Sequence, residues 1–293
     1  MKVFKQIFIW SLAIIIVAGL AWQIWRAASY EKPVRVYSET KGSLEIKLIA
    51  IGHENENVFY DVYGSVIDPL DLPNISSQRK TVYGSFYYMV FVFEIPKDKD
   101  IFFTNTAMHY EIKFQDEIFR GGSQNYRIVD LDDRRLMVVN CMIREHFGGR
   151  SLFGTDREKV SHIDVHFAYC CNQQKTDKHD YSIKGPFKAG TIAKAQGTIA
   201  PDLLFNEDTA GENQPTANFT LNSVNDRCIF VYDKNAKKHM ITRKTRTGYP
   251  FGTTNTFYIK GVKHTEIGSV EFISQTDTHV FENVKINPPA NEK

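Results

Sequence analysis

The run Phe86-Tyr87-Tyr88-Met89-Val90-Phe91-Val92-Phe93-Glu94-Ile95, closed by Pro96, decides the fold. It is too aromatic and β-branched for an ordinary helix, and its apolar residues occupy odd and even positions alike. That pattern predicts a central strand over 82–95 with both faces buried. Leu44 to Ile51 reads in the same way, alternating at first and then apolar on both sides.

Working outward, further strands are expected at 108–119, 125–131, 135–145 and 160–171, with Gly121-Gly122, Asp132-Asp133 and Gly148-Gly149 as separators. Asp132-Asp133 lies between two apolar runs and suits a tight hairpin; no glycine or glutamate follows at the spacing a calcium loop needs. Beyond the Gly/Pro/Lys-rich passage Lys184–Gly190, strands are expected at 190–199, 217–222, 227–233, 238–243, 255–260, 268–275 and 279–287. The polar stretch Asn206–Asn218 reads as a long mobile loop. Short strands, frequent turn signals and little helical periodicity predict an all-β fold, a sandwich or jelly roll. The division expected is 1–29 for a cytoplasmic start and membrane anchor, 30–41 for a linker, 42–185 for one β-rich subdomain and 186–289 for a second, which could be continuous with the first.

Ile7–Trp25 is uncharged and almost wholly apolar, with Trp10, Trp22 and Trp25 around it. A helix of that length is about 28 Å long, which matches the hydrocarbon core of a bilayer. Signal-peptide cuts after Gly19-Leu20-Ala21 or Ala27-Ala28-Ser29 fit poorly, the first falling inside the apolar run and the second beyond Arg26. A retained signal-anchor is the better reading, with residues 7–25 in membrane lipid; secretion after cleavage is the alternative. Lys2 and Lys5 are matched by Arg26, Lys32 and Arg35, so the positive charges do not set the orientation. Export of a long C-terminal part then places the N-terminus in the cytoplasm and the globular part outside.

A net charge of +2 gives no reason to expect nucleic acid. The cluster Arg243-Lys244-Arg246 reads as a solvated loop before Gly248. Of the four cysteines, Cys170 and Cys171 are adjacent and point to opposite faces of a strand, so they cannot both reach one partner region. Four free buried thiols are the first expectation, and one disulfide through Cys141 the second.

One strand carries residues with the right local geometry for chemistry. In His162-Ile163-Asp164-Val165-His166 the two imidazoles and the carboxylate share a face. With a fourth ligand from His109 or His146 they could hold a divalent metal; a solvent-facing polar row is the plainer reading. Tyr249-Pro250-Phe251-Gly252 is an aromatic loop that could stack Tyr249 and Phe251 on a sugar or a partner, or simply cover one end of the fold. No nucleophile elbow, phosphate loop or His-Glu-x-x-His helix occurs.

Two segments carry a family likeness: Gly42-Ser-Leu-Glu-Ile-Lys-Leu-Ile-Ala-Ile-Gly52 with Tyr60-Asp61-Val62-Tyr63-Gly64-Ser65, and Phe257–Ile267 continued by Val270–Thr276 and Val280–Ile286. Together they resemble the two ends of β-rich envelope domains that planctomycete-type bacteria place beyond an N-terminal membrane helix. The chain has Phe59-Tyr60-Asp61-Val62-Tyr63-Gly64 where those domains carry a Trp pair before Pro-Asp-Gly. The resemblance implies a cell-envelope location and brings no catalytic residues. The function expected is a membrane-tethered extracytoplasmic module that binds or organises an envelope protein or carbohydrate, without a cofactor. A carbohydrate-active or metal-assisted hydrolase and a sensor subunit with a membrane partner are the alternatives.

Overall fold

The computed structural model describes residues 34–38, 44–53, 58–68, 86–99, 101–114, 117–144, 146–147, 158–171, 181–194, 202–211, 214–221, 227–248, 253–274 and 277–286, together with Val17. The rest of the expected membrane segment Ile7–Trp25 lies outside them, and among the described residues no helix is long and apolar enough to cross a membrane.

The protein is all β. In chain order the strands are β1 (Arg35–Ser38), β2 (Lys47–His53), β3 (Val58–Tyr60), β4 (Val66–Ile67), β5 (Phe86–Ile95), β6 (Ile101–Phe114), β7 (Glu117–Asp130) and β8 (Arg135–Arg144). Then follow β9 (His146–Phe147), β10 (Glu158–Lys159), β11 (His162–Cys171), β12 (Tyr181–Lys184), β13 (Ile192–Lys194), β14 (Asp202–Phe205) and β15 (Thr209–Gly211). The last are β16 (Gln214–Leu221), β17 (Cys228–Asp233), β18 (Lys238–His239), β19 (Ile241–Gly248), β20 (Thr253–Lys260), β21 (Ile267–Ile273) and β22 (Asp277–Lys285), with a 3-10 turn at His264–Glu266 before β21.

Strand pairing is antiparallel in every ladder. One series runs β1-β22-β11-β6-β7. A longer one runs β4-β3-β2-β5-β8-β7-β19-β20-β16-β14-β13. The third, β12-β21-β17-β18, joins β6 where Cys228 pairs with Thr104. β7 belongs to two series: Glu117–Gly122 pairs with β6, and Ser123–Asp130 with β8. Residues from Val34 onward form one compact unit. β1 lies within the stretch read as a linker, and its Arg35–Ser38 backbone pairs along β22.

β5 is the strand that the sequence predicts. Phe91 and Phe93 enter the main core, while Val90 and Val92 enter a second cluster with Ala50, Phe59, Leu136 and Val138 on the opposite face. The two long series meet through aromatic side chains, since Phe93 packs on Phe167 of β11 at 4.6 Å and on Phe281 of β22 at 5.8 Å between ring centroids. The Asp132-Asp133 hairpin also forms, closing β7 onto β8 with Asp130 opposite Arg135 and a Leu131 N–H to Arg134 C=O bond of 2.8 Å.

Other expectations are corrected. Gly121-Gly122 does not separate strands but sits inside β7. Tyr110, the cross-strand partner of Gly121, lays its ring over that glycine and donates its hydroxyl to the Met142 carbonyl of β8 at 2.9 Å. A Cβ at Gly121 would collide with this ring, and one at Gly122 with Thr106, so the glycines answer a close approach and not a turn. Asn206–Asn218 is not one long loop. It holds the β15–β16 hairpin, and Asn206 Nδ2 donates to Asn218 Oδ1 at 2.7 Å, a bond that fixes the segment to the sheet.

The thiols depart from expectation too. Cys170 and Cys228 form a disulfide, and Cys141 is a free buried thiol. Cys170 faces away from the main core into a small cluster with Phe102, Phe230 and Ile273. Register rather than sequence spacing brings it to Cys228, because β17 meets β6 beside Phe102 while Cys170 pairs with Phe102 from the other strand.

Phe93→Ala removes a fully buried ring from the contact between the two series. The expected cost is about 3–5 kcal/mol in urea unfolding. Val36→Ala, at an exposed position on the edge strand β1, should stay within about 0.5 kcal/mol of the parent.

Candidate functional site

Alternation along β11 places His162, Asp164 and His166 on the outer, half-exposed face, while Ile163, Val165 and Phe167 face the core. The expected sharing of a face therefore holds. β6 runs alongside with His109 opposite His166 and Glu111 opposite Asp164. The two imidazoles of His109 and His166 stack with centroids 4.6 Å apart and planes 9° from parallel.

This row is engaged in ion pairs and hydrogen bonds. Asp164 Oδ2 pairs with Lys113 Nζ at 2.7 Å, and Asp164 Oδ1 accepts the Asn283 N–H at 2.8 Å. Asn283 has φ 59°, so the carboxylate braces a left-handed kink in β22. The hydrogen bond that Lys113 donates to Asp164 raises its ammonium above the ordinary value. Glu111 is bonded through Oε1 to Arg120 Nε at 2.6 Å, and its Oε2 lies 3.9 Å from His166 Nε2. His162 Nδ1 is 2.9 Å from Ser161 Oγ. His146 is on the separate β9–β10 ladder and not on a strand beside β11. Among the described residues no group of three His, Cys, Asp or Glu is arranged to hold a metal ion. Tyr249 and Phe251 lie outside the described residues.

The outer face of the longer series carries a different set. The basic cluster Arg243-Lys244-Arg246 is not a solvated loop but part of β19. Lys244 is buried between its cross-strand partners Tyr126 and Phe257, which both belong to the core. Arg243 therefore points outward, where it faces Arg127 of β7 on one side and Tyr258 of β20 on the other. Its guanidinium lies over the Tyr258 ring, 5.2 Å from the centroid. Tyr258 is opposite Asn218 of β16, whose amide donates to the Glu207 carbonyl at 3.1 Å. The next row along the strands holds Thr245, Thr256 and Thr220 in register, with Asn125 on β7. Thr220 and Thr256 hydroxyls are 3.3 Å apart, and Asn125 Oδ1 accepts the Arg246 N–H at 2.7 Å.

Two guanidinium groups directly opposite one another on a sheet repel. Burial, and then the charge of Arg243, lower the Arg127 guanidinium below its ordinary value. The residues that flank this pair in register on the same face, Val138 and Tyr258, carry no negative charge. Arg127 and Arg243 thus stand side by side on this face, next to the row of threonines and Asn125. Sequence alone does not reveal it, because Arg127 and Arg243 meet only through the β7–β19 register.

A third arrangement resembles an aromatic cage but is filled from within. Lys238 Nζ lies 5.0 Å from the Phe102 centroid, 5.1 Å from that of Phe230 and 6.0 Å from that of Tyr232, beside the Cys170–Cys228 disulfide. The β17–β18 hairpin that delivers Lys238 is held by Asp233, which accepts the N–H groups of Asn235 and Lys237 and pairs with His239 Nε2 at 3.0 Å.

No family model, curated protein or solved structure matches this chain.

Asp164→Ala should destabilise the protein by about 1–3 kcal/mol with no metal present, since it strips the acceptor from the partly buried Asn283 N–H. Zinc or manganese should not raise the melting temperature of either protein; a metal-dependent rise that Asp164→Ala abolishes would restore the metal reading. His279 supplies a pH signature. It is 7% exposed, packs on Phe281, and neither ring nitrogen finds a partner. Burial lowers its imidazole below the ordinary 6.5. The unfolded chain then takes up a proton that the folded one resists, so stability is lost as pH falls below about 6.5. His279→Phe should flatten that part of the stability profile.

Proposed function

We propose that this chain is a membrane-tethered extracytoplasmic binding module that holds or organises a component of the cell envelope, its ligand surface being the outer face of β7, β19, β20 and β16. The observation that carries this reading is the row Arg127, Arg243 and Tyr258, in register on one face of a sheet whose other face is core. The His162–Asp164–His166 strand, with its carboxylate tied to Lys113 and to the β22 backbone, is better suited to bracing the fold than to chemistry.

The architecture in this proposal is a β-sandwich-like body. Opposed series with a shared aromatic core support it. The tether is Ile7–Trp25, of bilayer length and uncharged. Export of the domain is supported by the Cys170–Cys228 disulfide, since such bonds persist in oxidising compartments. Kinship with the membrane-anchored envelope domains of planctomycete-type bacteria, read from the two chain ends, belongs to the same proposal.

The test is topological. The full chain should sediment with membranes and resist carbonate extraction, and protease added outside spheroplasts should degrade the domain while a cytoplasmic control survives. A thiol reagent applied before reduction should spare Cys170 and Cys228. Protection from protease, or both thiols reduced in the cell, would overturn the exported placement; release of a shortened soluble protein would overturn the tether.

A further inference from the structure

We infer that the end of the domain where the chain enters β1 is a lipid-contacting surface, with Val36, Tyr63, Val66 and Ile118 seated in the interfacial layer of the bilayer entered by residues 7–25. This rests on the tether reading above and adds the surface of the domain that meets the lipid.

The strand register carries the assignment. β1 lies antiparallel to β22 with Arg35 opposite Glu282, so the chain arrives beside the Lys285 end of β22. β11 begins at the same end, with His162 opposite Lys285. The β6–β7 hairpin closes there too, because Asp164 stands opposite Glu111 and bonds Lys113, and Lys113 stands opposite Ile118. The turn between β3 and β4 joins them, since the Lys285 side chain lies against Gly64. Among the described residues from Val34 onward, five large apolar side chains are exposed: Val36, Tyr63, Val66, Ile118 and Ile192. The first four belong to the strands and the turn that meet at this end, whereas Ile192 is on β13, the edge strand of the longer series. Exposed apolar residues scattered singly need no explanation; ones gathered at one end mark a contact surface.

Tyr63 is 73% exposed on a turn whose backbone is fixed. Asp61 Oδ1 accepts the N–H groups of Tyr63 and Ser65 at 2.9 and 2.8 Å, and Gly64 takes a φ of 88°. A tyrosine held outward in this way offers a ring and a hydroxyl to the boundary between lipid and water. Chain length restricts what this end can face. Residues 26–33 number eight and span at most about 29 Å when fully extended. The nine residues of β22 are themselves about 30 Å long, so the tether holds the entry end within about one strand length of the lipid. Confinement at that distance raises the effective concentration of lipid, and a few apolar side chains then suffice. Charge contributes little here. Lys113 is bonded to Asp164 and Arg120 to Glu111, so the cations flanking Ile118 are neutralised within the protein. The contact rests on apolar and aromatic insertion and does not require anionic headgroups.

The experiment uses the full chain reconstituted into phosphatidylcholine vesicles, with the photoreactive residue benzoylphenylalanine in place of Tyr63, Val66, Ile118 or Ile192, one at a time. Melting curves establish that each variant is folded, as exposed positions allow. Irradiation should give lipid adducts at Tyr63, Val66 and Ile118 and none above background at Ile192. Tyr63→Asp combined with Val66→Asp should lower the yield at Ile118 while the chain stays with the vesicles. Replacing part of the lipid by an anionic phospholipid should leave all yields unchanged. A chain that does not associate with the vesicles overturns the tether reading and this inference with it. A vesicle-bound chain without lipid adducts at Tyr63, Val66 and Ile118 overturns this inference alone. So do equal adducts at Ile192, an undiminished yield at Ile118 in the double variant, or adducts that form only with anionic lipid. Adducts to a second copy of the chain in place of lipid assign this end to self-association and overturn the lipid contact.

Discussion

The contact of Phe93 with Phe167 and Phe281 holds together two strand series that are otherwise joined through β7 and β6. Backbone pairing alone lets a sheet of this width twist and splay, since antiparallel ladders fix neighbours and not opposed faces. The aromatic side chains supply what the ladders lack. Phe103 and Tyr126 extend the same contact, and Phe205, Phe219 and Phe257 continue an aromatic core beneath β14, β16 and β20. Each outer face is thereby given a rigid support. Ten of the 21 phenylalanines are buried in this core.

What could be read from the sequence was decided by range. β5 was legible because both of its faces are buried, and an unbroken apolar run needs no knowledge of partners. The β7–β8 hairpin was legible because its turn and both flanking strands are contiguous. Gly121-Gly122 was misread for a physical reason: a glycine pair marks a turn or a place where another group comes close, and the group here, Tyr110, belongs to the neighbouring strand. Asn206–Asn218 was misread because polar side chains that pair with each other across a hairpin look, one at a time, like those of a loop. The adjacency argument could not select Cys228 as the partner of Cys170, which depends on where β17 docks against β6.

The two charged rows differ in how their charges are resolved. On β6 and β11 each carboxylate has a cation beside it, Lys113 for Asp164 and Arg120 for Glu111, so the row is closed within the protein. On β7 and β19 the nearest charged neighbour in register to a guanidinium is another guanidinium. The first row shows in the sequence as His162, Asp164 and His166 on alternating positions, whereas Arg127 and Arg243 are distant in the chain and meet only through the β7–β19 register. Only the pairing register shows which charges meet, and at the second row the sequence favours the wrong reading by joining Lys244, which is buried, to Arg243 and Arg246, which are not.

Strand β1 lies along one edge of β22 while β11 occupies the other. An uncovered strand edge presents a row of amide and carbonyl groups that can template pairing with another molecule. Arg35–Ser38 thus cover that edge over four residues. A cut in the stretch after Ser38 that released β1 would exchange the open edge of a four-residue strand for that of the nine-residue β22, a longer template for pairing with another copy of the chain.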